Sequence, residues 1–309
     1  MKVNKISFRH LKKLNRNGET YKDNSLKNCN TFKVGGKCDY FLKICTLENF
    51  IQVMQYLNSK SIRPFVLGNG SNLLISDTGY RGVIITFAGD FKRIETNETM
   101  IECGAGVSLG LAYATAKNLS LKGLECSAGI PASIGGATLM NAGANEFEMS
   151  KLVDYVVAYV DGKIDYFRNA ECGFSYRNSV FKENNAIILR VAMQLQKGDK
   201  TEIENMYINT LNKRKEKQPL EYGSAGCVFK NQDNILVGKM LDEDGYKGKM
   251  IGGAMVSHKH ANFIINHSNA TASDIYKLIK TIQEEFYQKH KINLECEIKF
   301  LGEFDETKR

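Results

Sequence analysis

The chain has 309 residues, with 42 basic against 34 acidic side chains (net +8) and 43% apolar positions. That is too apolar for a disordered chain, and no apolar run approaches the ~20 residues that cross a bilayer. At roughly 150 residues per domain the length sets the expectation at two domains.

The basic amino terminus has no apolar stretch of the kind that opens a secretory leader, so none is expected. From Leu47 to Leu57 the residues Leu47, Phe50, Ile51, Met54 and Leu57 recur at helical spacing. Pro64-Phe65-Val66-Leu67 reads as a buried strand, and Gly68-Asn69-Gly70-Ser71-Asn72 as a tight turn after it. Strands are expected at Val83–Phe87 and Met100–Cys103, and a helix over Ser108–Asn118. A hairpin over Leu152–Phe167 turns on Asp161-Gly162, a pair that tolerates positive φ. One more strand covers Ala186–Leu195.

Near Gln196–Asp199 the pattern changes to a charged helical segment running to Pro219, and the domain boundary is placed there. That helix carries the cluster Lys213, Arg214, Lys215 and Lys217, which reads as a solvated face or an anion site. Thr271 and Asp274 form a capping-box variant before a helix with Ile275, Leu278, Ile279, Ile282 and Phe286 on one face. Leu294–Phe300 alternates as a closing strand, with Leu294, Cys296, Ile298 and Phe300 to one side. The fold class is α+β.

Eight cysteines lie scattered without a C-x-x-C pair, so reduced thiols are expected rather than a disulfide scaffold. His258 and His260 have no cysteine pair nearby, and no metal site is expected. Two glycine-rich segments stand out. Gly68–Asn72 suits either an ordinary turn or a nest of N–H groups for a pyrophosphate, though it lacks the third glycine of the dinucleotide fingerprint. Gly123–Ala137, continuing through Asn141-Ala142-Gly143-Ala144, suits either an extended ligand on bare backbone or a crowded helix–sheet contact.

Asn30-Thr31-Phe32-Lys33-Val34-Gly35-Gly36, the Gly68–Leu74 loop and Gly129-Ile130-Pro131-Ala132-Ser133-Ile134-Gly135-Gly136 resemble the FAD-binding domain of vanillyl-alcohol-oxidase-like flavoproteins. Adding Tyr176-Arg177-Asn178-Ser179, Gly223–Asn231, Gly252-Gly253-Ala254 and Leu294-Glu295-Cys296-Glu297, the set is similar to the UDP-N-acetylenolpyruvoylglucosamine reductase (MurB) family in its shorter, type II form. The resemblance implies a two-lobed FAD-binding domain of the vanillyl-alcohol-oxidase/PCMH type over 22–196, and a smaller α+β substrate domain over 197–309. It also implies non-covalent FAD, NADPH as co-substrate, and reduction of the enolpyruvyl ether of UDP-N-acetylglucosamine to UDP-N-acetylmuramate for peptidoglycan. A cytoplasmic monomer without nucleic-acid or membrane partners is expected.

By motif register the resemblance makes Arg177, Cys227 and Glu297 the catalytic residues. Hydride arriving at the vinyl CH₂ leaves negative charge beside a carboxylate, which calls for a fixed cation and a proton donor. Arg177 supplies a guanidinium that keeps its proton, and Glu297 supports the enol, with Glu295 a rival on the same face. Cys227 stands where the family most often has a serine; a thiol titrating near ~8.5 is mostly protonated at neutral pH and can donate. Expected cofactor contacts are Asn30, Thr31, Gly68, Asn69, Gly70, Ser71, Asn72, Leu73, Gly129, Ile130, Ser133, Gly135, Gly136 and Asn141. Expected substrate contacts are Tyr176, Lys217 and Asn231. Gln232 and Cys296, where proline is usual, and Asn145, where an aromatic is usual, depart from the pattern. An oxidase on the same flavin fold would leave the C-terminal motifs unexplained. A nucleic-acid binder would need aromatics interleaved with the basic cluster, which has none until Tyr222.

Overall fold

The structure, a computed structural model, describes residues 6–144, 147–232 and 235–304. Asn145 lies outside these residues. By contacts the chain divides into two units: the first takes residues up to Lys22, Tyr40–Asn69 and Gly82–Asn212, the second Asp23–Asp39, Gly70–Arg81 and the residues from Lys213 on. No helix among the described residues is long and apolar enough to cross a membrane.

The first unit is built on a five-stranded antiparallel sheet in the order Lys163–Arg168, Val153–Val160, Ile187–Gln194, Met100–Gly104, Ile94–Asn97. The expected hairpin is there, and Asp161 (φ 48°) and Gly162 (φ 91°) both take the positive φ that a two-residue turn matched to strand twist requires. The inner strand Ile187–Gln194 is buried at six of its eight positions, since the short helix Ile134–Leu139 packs on it and on Met100–Gly104. A four-stranded sheet runs Glu19–Ser25, Lys37–Ile44, Tyr80–Phe87, Phe65–Val66. The helix Leu47–Ser59 turns Phe50, Val53, Met54 and Leu57 into the core. Leu47 stays largely exposed, against expectation, because it opens the helix immediately after the Thr46 cap and precedes the packed face. Ser108 likewise caps the helix Leu109–Asn118 rather than joining it, accepting from the Leu111 N–H.

The second unit is organised on the helix Ala272–His290. Its capping box forms between Thr271 and Asp274, and Ile275, Leu278, Ile279, Ile282 and Phe286 are all buried. A second acid adds to the cap: the Asp77 carboxylate accepts from the N–H groups of Ala272 (2.9 Å) and Ser273 (2.8 Å), where the helix dipole favours negative charge. A three-stranded antiparallel sheet, Met250–Ile251, Ala254–Val256, Ile264–Asn266, packs against this helix. The closing strand is shorter than expected. Only Lys299–Leu301 is regular, paired parallel to Leu73–Ile75, while Cys296 forms an isolated bridge with Phe229. This change of partner breaks the alternation: Leu294 and Ile298 are buried as expected, but Leu301 is buried in place of Phe300, which is 39% exposed.

Candidate active site

Within the first unit the Arg177 segment is a tight turn. Ser175 and Asn178 exchange backbone hydrogen bonds (3.2 and 3.1 Å), leaving Tyr176 and Arg177 at the tip with Arg177 at φ 55°. The Arg177 guanidinium lies over the Tyr176 ring at 5.2 Å. A Cβ built on Gly143 would stand 3.4 Å from Arg177 Nη1, so the Asn-Ala-Gly-Ala stretch forms the floor beneath this cation. Asn141 holds the turn in place. It is 1% exposed, its Nδ2 donates to the Ser175 carbonyl (3.1 Å) and to Glu148 (2.6 Å), and its Oδ1 accepts from the Ser150 N–H (2.9 Å). An amide spent in this way positions Arg177 and has little left for a ligand. Ser179 adds a tether through its hydroxyl to the Leu139 carbonyl (2.8 Å).

The second unit brings together parts of three of the other motifs. Val228–Lys230 and Glu295–Glu297 run as a short antiparallel pair: the Glu297 N–H donates to the Val228 carbonyl (2.7 Å) and the Lys230 N–H to the Glu295 carbonyl (2.9 Å). Cys227 therefore precedes by one residue the position bonded to Glu297. Asn262, 3% exposed, clamps the same segment, accepting from the Phe229 N–H (2.9 Å) and donating to its carbonyl (2.8 Å). Asn72 Nδ2 donates to the Glu297 carbonyl (3.2 Å), and the Lys299 N–H to the Asn72 carbonyl (3.0 Å). Glu295 is mostly exposed and paired with Lys230, whereas Glu297 is half-buried. That difference in setting separates the two rival carboxylates. Burial pushes the thiols of Cys38, Cys103 and Cys172 up to about 12 and that of Cys296 to about 11, so these four stay protonated.

The glycine-rich segments serve in different ways. No hydrogen bond leaves the backbone N–H of Gly68, Asn69, Gly70, Ser71 or Asn72 to any described residue. Gly70, at φ 63°, passes so close to the Asn30 loop that a Cβ would sit 2.3 Å from the Cys29 carbonyl oxygen. The Thr31 N–H and hydroxyl both reach the Gly70 carbonyl (3.3 and 3.4 Å), and Asn30, buried, spends its amide on Leu26 and Val34. Leu73 is buried and paired with Lys299.

The second segment is a packing device as much as a ligand surface. Ile134, Gly135 and Gly136 already donate their N–H groups to Val107, Ala105 and the Ser133 hydroxyl, and a Cβ at Gly135 would stand 2.8 Å from that of Ala105. Gly129 takes φ 75°, the Ile130 N–H donates to Ser127, and Asn69 Nδ2 donates to the Pro131 carbonyl (3.2 Å).

Gly68, Asn69, Ser133, Gly135 and Gly136 all line one cavity of about 110 Å³ in the first unit. Lys92, unremarked in the sequence, is the single charged residue on its wall among the described residues. A cationic wall and unspent amides suit the phosphates of a dinucleotide cofactor such as FAD, and the size, below the ~300 Å³ of a whole-ligand cleft, suits part of one. Of the expected substrate residues, Tyr176 and Lys217 are exposed, and Asn231 uses its Oδ1 to accept from the Val237 N–H (3.1 Å).

Residues 218–301 match the family model described as UDP-N-acetylenolpyruvoylglucosamine reductase, C-terminal domain, and residues 39–162 match the FAD binding domain model. The UDP-N-acetylenolpyruvoylglucosamine reductase of Caldicellulosiruptor bescii is 41% identical over 93% of this chain and 92% of its own length. That of Caldanaerobacter subterraneus subsp. tengcongensis is 39% identical over 95% and 97%. The crystal structure of the enzyme of that name from Thermus caldophilus is similar with a TM-score of 0.80 at 35% identity, covering 92% of this chain and 99% of the other.

Proposed function

Since this chain belongs to the family of UDP-N-acetylenolpyruvoylglucosamine reductases, we propose that it reduces the enolpyruvyl ether of UDP-N-acetylglucosamine to UDP-N-acetylmuramate in peptidoglycan precursor synthesis. FAD, bound without a covalent link, supplies hydride chemistry between NADPH and the enol ether. The observation that carries the reading is the backbone pairing that sets Cys227 one residue from the bond between Val228 and Glu297.

On this reading hydride addition at the vinyl CH₂ leaves an enediolate, whose charge Arg177 counters with a guanidinium that cannot lose its proton. Glu297 supports the enol oxygen, and Cys227 delivers the proton to the carbon bearing the carboxylate. The open amides of Gly68 and Asn69, with Lys92 on the wall of the same cavity, would take part of the cofactor's pyrophosphate, and Gly70, Ser71 and Asn72 continue that loop with open amides of their own. Gly129, Ile130, Ser133, Gly135 and Gly136 let it lie close to the backbone, while Asn30, Thr31 and Leu73 shape the loop beside Gly70. Tyr176, Lys217 and Asn231 serve the substrate. We assign the flavin to 22–196 and the substrate to 197–309; the matches over 39–162 and 218–301 support that division of labour. A monomer in the cytoplasm, with no nucleic-acid or membrane partner, completes the proposal.

Stopped-flow absorbance of the purified flavoprotein tests it. NADPH bleaches the flavin band, and the UDP-sugar enol ether then restores it. Flavin that stays reduced when the enol ether is added would end the reading.

A further inference from the structure

The turn that presents Arg177 is closed by the two backbone bonds between Ser175 and Asn178, and neither uses the Arg177 carbonyl. The third residue of a turn, when its φ is positive, is usually glycine or asparagine; Arg177, at φ 55°, holds a conformation that its own Cβ disfavours. Such a residue persists only where its surroundings over-determine it. The short helix that follows, Val180–Glu183, does so from a fixed base. Phe181 is fully buried and meets the Phe167 ring edge-on at 5.1 Å, and the Ser179 hydroxyl before it is bonded to the Leu139 carbonyl. The next two side chains turn back on the loop. Glu183 Oε1 accepts from the Asn178 amide (2.6 Å), and Lys182, half-buried, sets its ammonium on the Arg177 carbonyl at 3.2 Å.

We propose that Lys182 is a positioning residue for the reaction, acting through Arg177. The inference rests on the role given to Arg177 above. The turn's own bonds fix the chain on either side of Arg177, and the Lys182 bond fixes its carbonyl. The backbone of the residue is thereby held in its left-handed conformation, and the direction of its Cα–Cβ bond with it. A guanidinium acts as a planar fork, and its donors meet an anion squarely only when that frame is right. Gly143 completes the placement from below, since a Cβ there would stand 3.4 Å from Arg177 Nη1. A hydrogen bond from an ammonium to a carbonyl is stronger than one between neutral groups, which suits a tether that works against backbone strain.

A double-mutant cycle on the holoenzyme tests this, read as the limiting rate at which the enol ether reoxidises the NADPH-reduced flavin. Lys182→Met keeps the apolar stem without the donor and should slow the step about 10-fold, within the ~10²-fold that a misplacement of ~1 Å can cost. Lys182→Arg keeps a charged donor and should recover the rate to within about 3-fold. In an Arg177→Lys background Lys182→Met should cost less than about 2-fold, because a point-charge ammonium depends little on the frame that Lys182 sets. The same loss in both backgrounds would show that Lys182 acts by some route other than Arg177 and overturn the assignment. A rate unchanged by Lys182→Met, or a loss that Lys182→Arg does not recover, would overturn it as well. Lys182→Gln, which withdraws the charge and shortens the reach, carries the cycle if the methionine variant fails to retain FAD. Wild-type flavin that stays reduced with the enol ether would instead overturn the reaction, and an Arg177→Lys variant of wild-type rate the role of Arg177; either takes this inference with it.

Discussion

Two buried asparagines, one in each unit, hold the functional segments by different means. Asn141 in the first unit ties three stretches together, reaching Ser175, Glu148 and Ser150, and the Arg177 turn adds its own two backbone bonds, the Ser179 tether, the Asn178 amide on Glu183 and the Lys182 ammonium on the Arg177 carbonyl. Asn262 in the second unit makes both of its clamping bonds to one residue, Phe229, while the pairing of Glu297 with Val228 and of Lys230 with Glu295 stands independently. The turn that carries Arg177 is thus anchored to its surroundings through side chains, whereas the stretches that carry Cys227 and Glu297 are joined through paired backbone. The same burial therefore carries different functional weight.

The largest effect is expected at Cys227, the residue proposed as proton donor. Cys227→Ala should slow oxidation of the flavin by the enol ether about 10²- to 10⁴-fold and leave reduction by NADPH within about 2-fold, read by stopped flow. Equal loss in both half-reactions would remove Cys227 from proton delivery. Arg177→Lys should lower turnover about 10- to 100-fold at unchanged FAD content, since an ammonium cannot reproduce the planar fork. Unchanged turnover would take Arg177 out of the mechanism.

The asparagines test the comparison directly. Asn141→Ala and Asn262→Ala should each lose about 1–3 kcal/mol in denaturant unfolding, because each leaves buried polar groups unsatisfied. Turnover should separate them, falling about 10-fold for Asn141→Ala and less than about 3-fold for Asn262→Ala. An equal fall would mean that the paired backbone is no more robust than the turn. The smallest effect is expected at Asp77→Ala, which removes a helix cap worth about 1 kcal/mol and should leave turnover unchanged. A change in kcat there would tie the helix terminus to the reaction.

Much of the local structure was legible in the residues. The face of Ala272–His290, its capping box and the Asp161-Gly162 turn all follow from short-range preferences that the tertiary fold reinforces. The closing strand was overread, because alternation over Leu294–Phe300 looks continuous while the chain changes partner from Phe229 to Leu73–Ile75 within it. At the site, Asn141 was expected at the cofactor from its motif, yet its burial and three bonds make it a support for the Arg177 turn. Asn262, Asp77 and Lys92 carried no signal. An asparagine, an aspartate or a lysine in a loop reads alike whether it faces solvent or caps a distant segment.

The amino-acid order on its own determined the element types, the apolar faces and the set of motifs, since these rest on spacing within a few residues and on chemistry each side chain carries anywhere. Tertiary structure decided the setting of each member of that set: Glu297 half-buried while Glu295 pairs with Lys230, amides left open at Gly68–Asn72 and consumed at Ile134–Gly136, Arg214 turned inward among exposed lysines. Burial and hydrogen-bond satisfaction depend on segments far apart in the chain, 225 residues from Asn72 to Glu297, and nothing local encodes them.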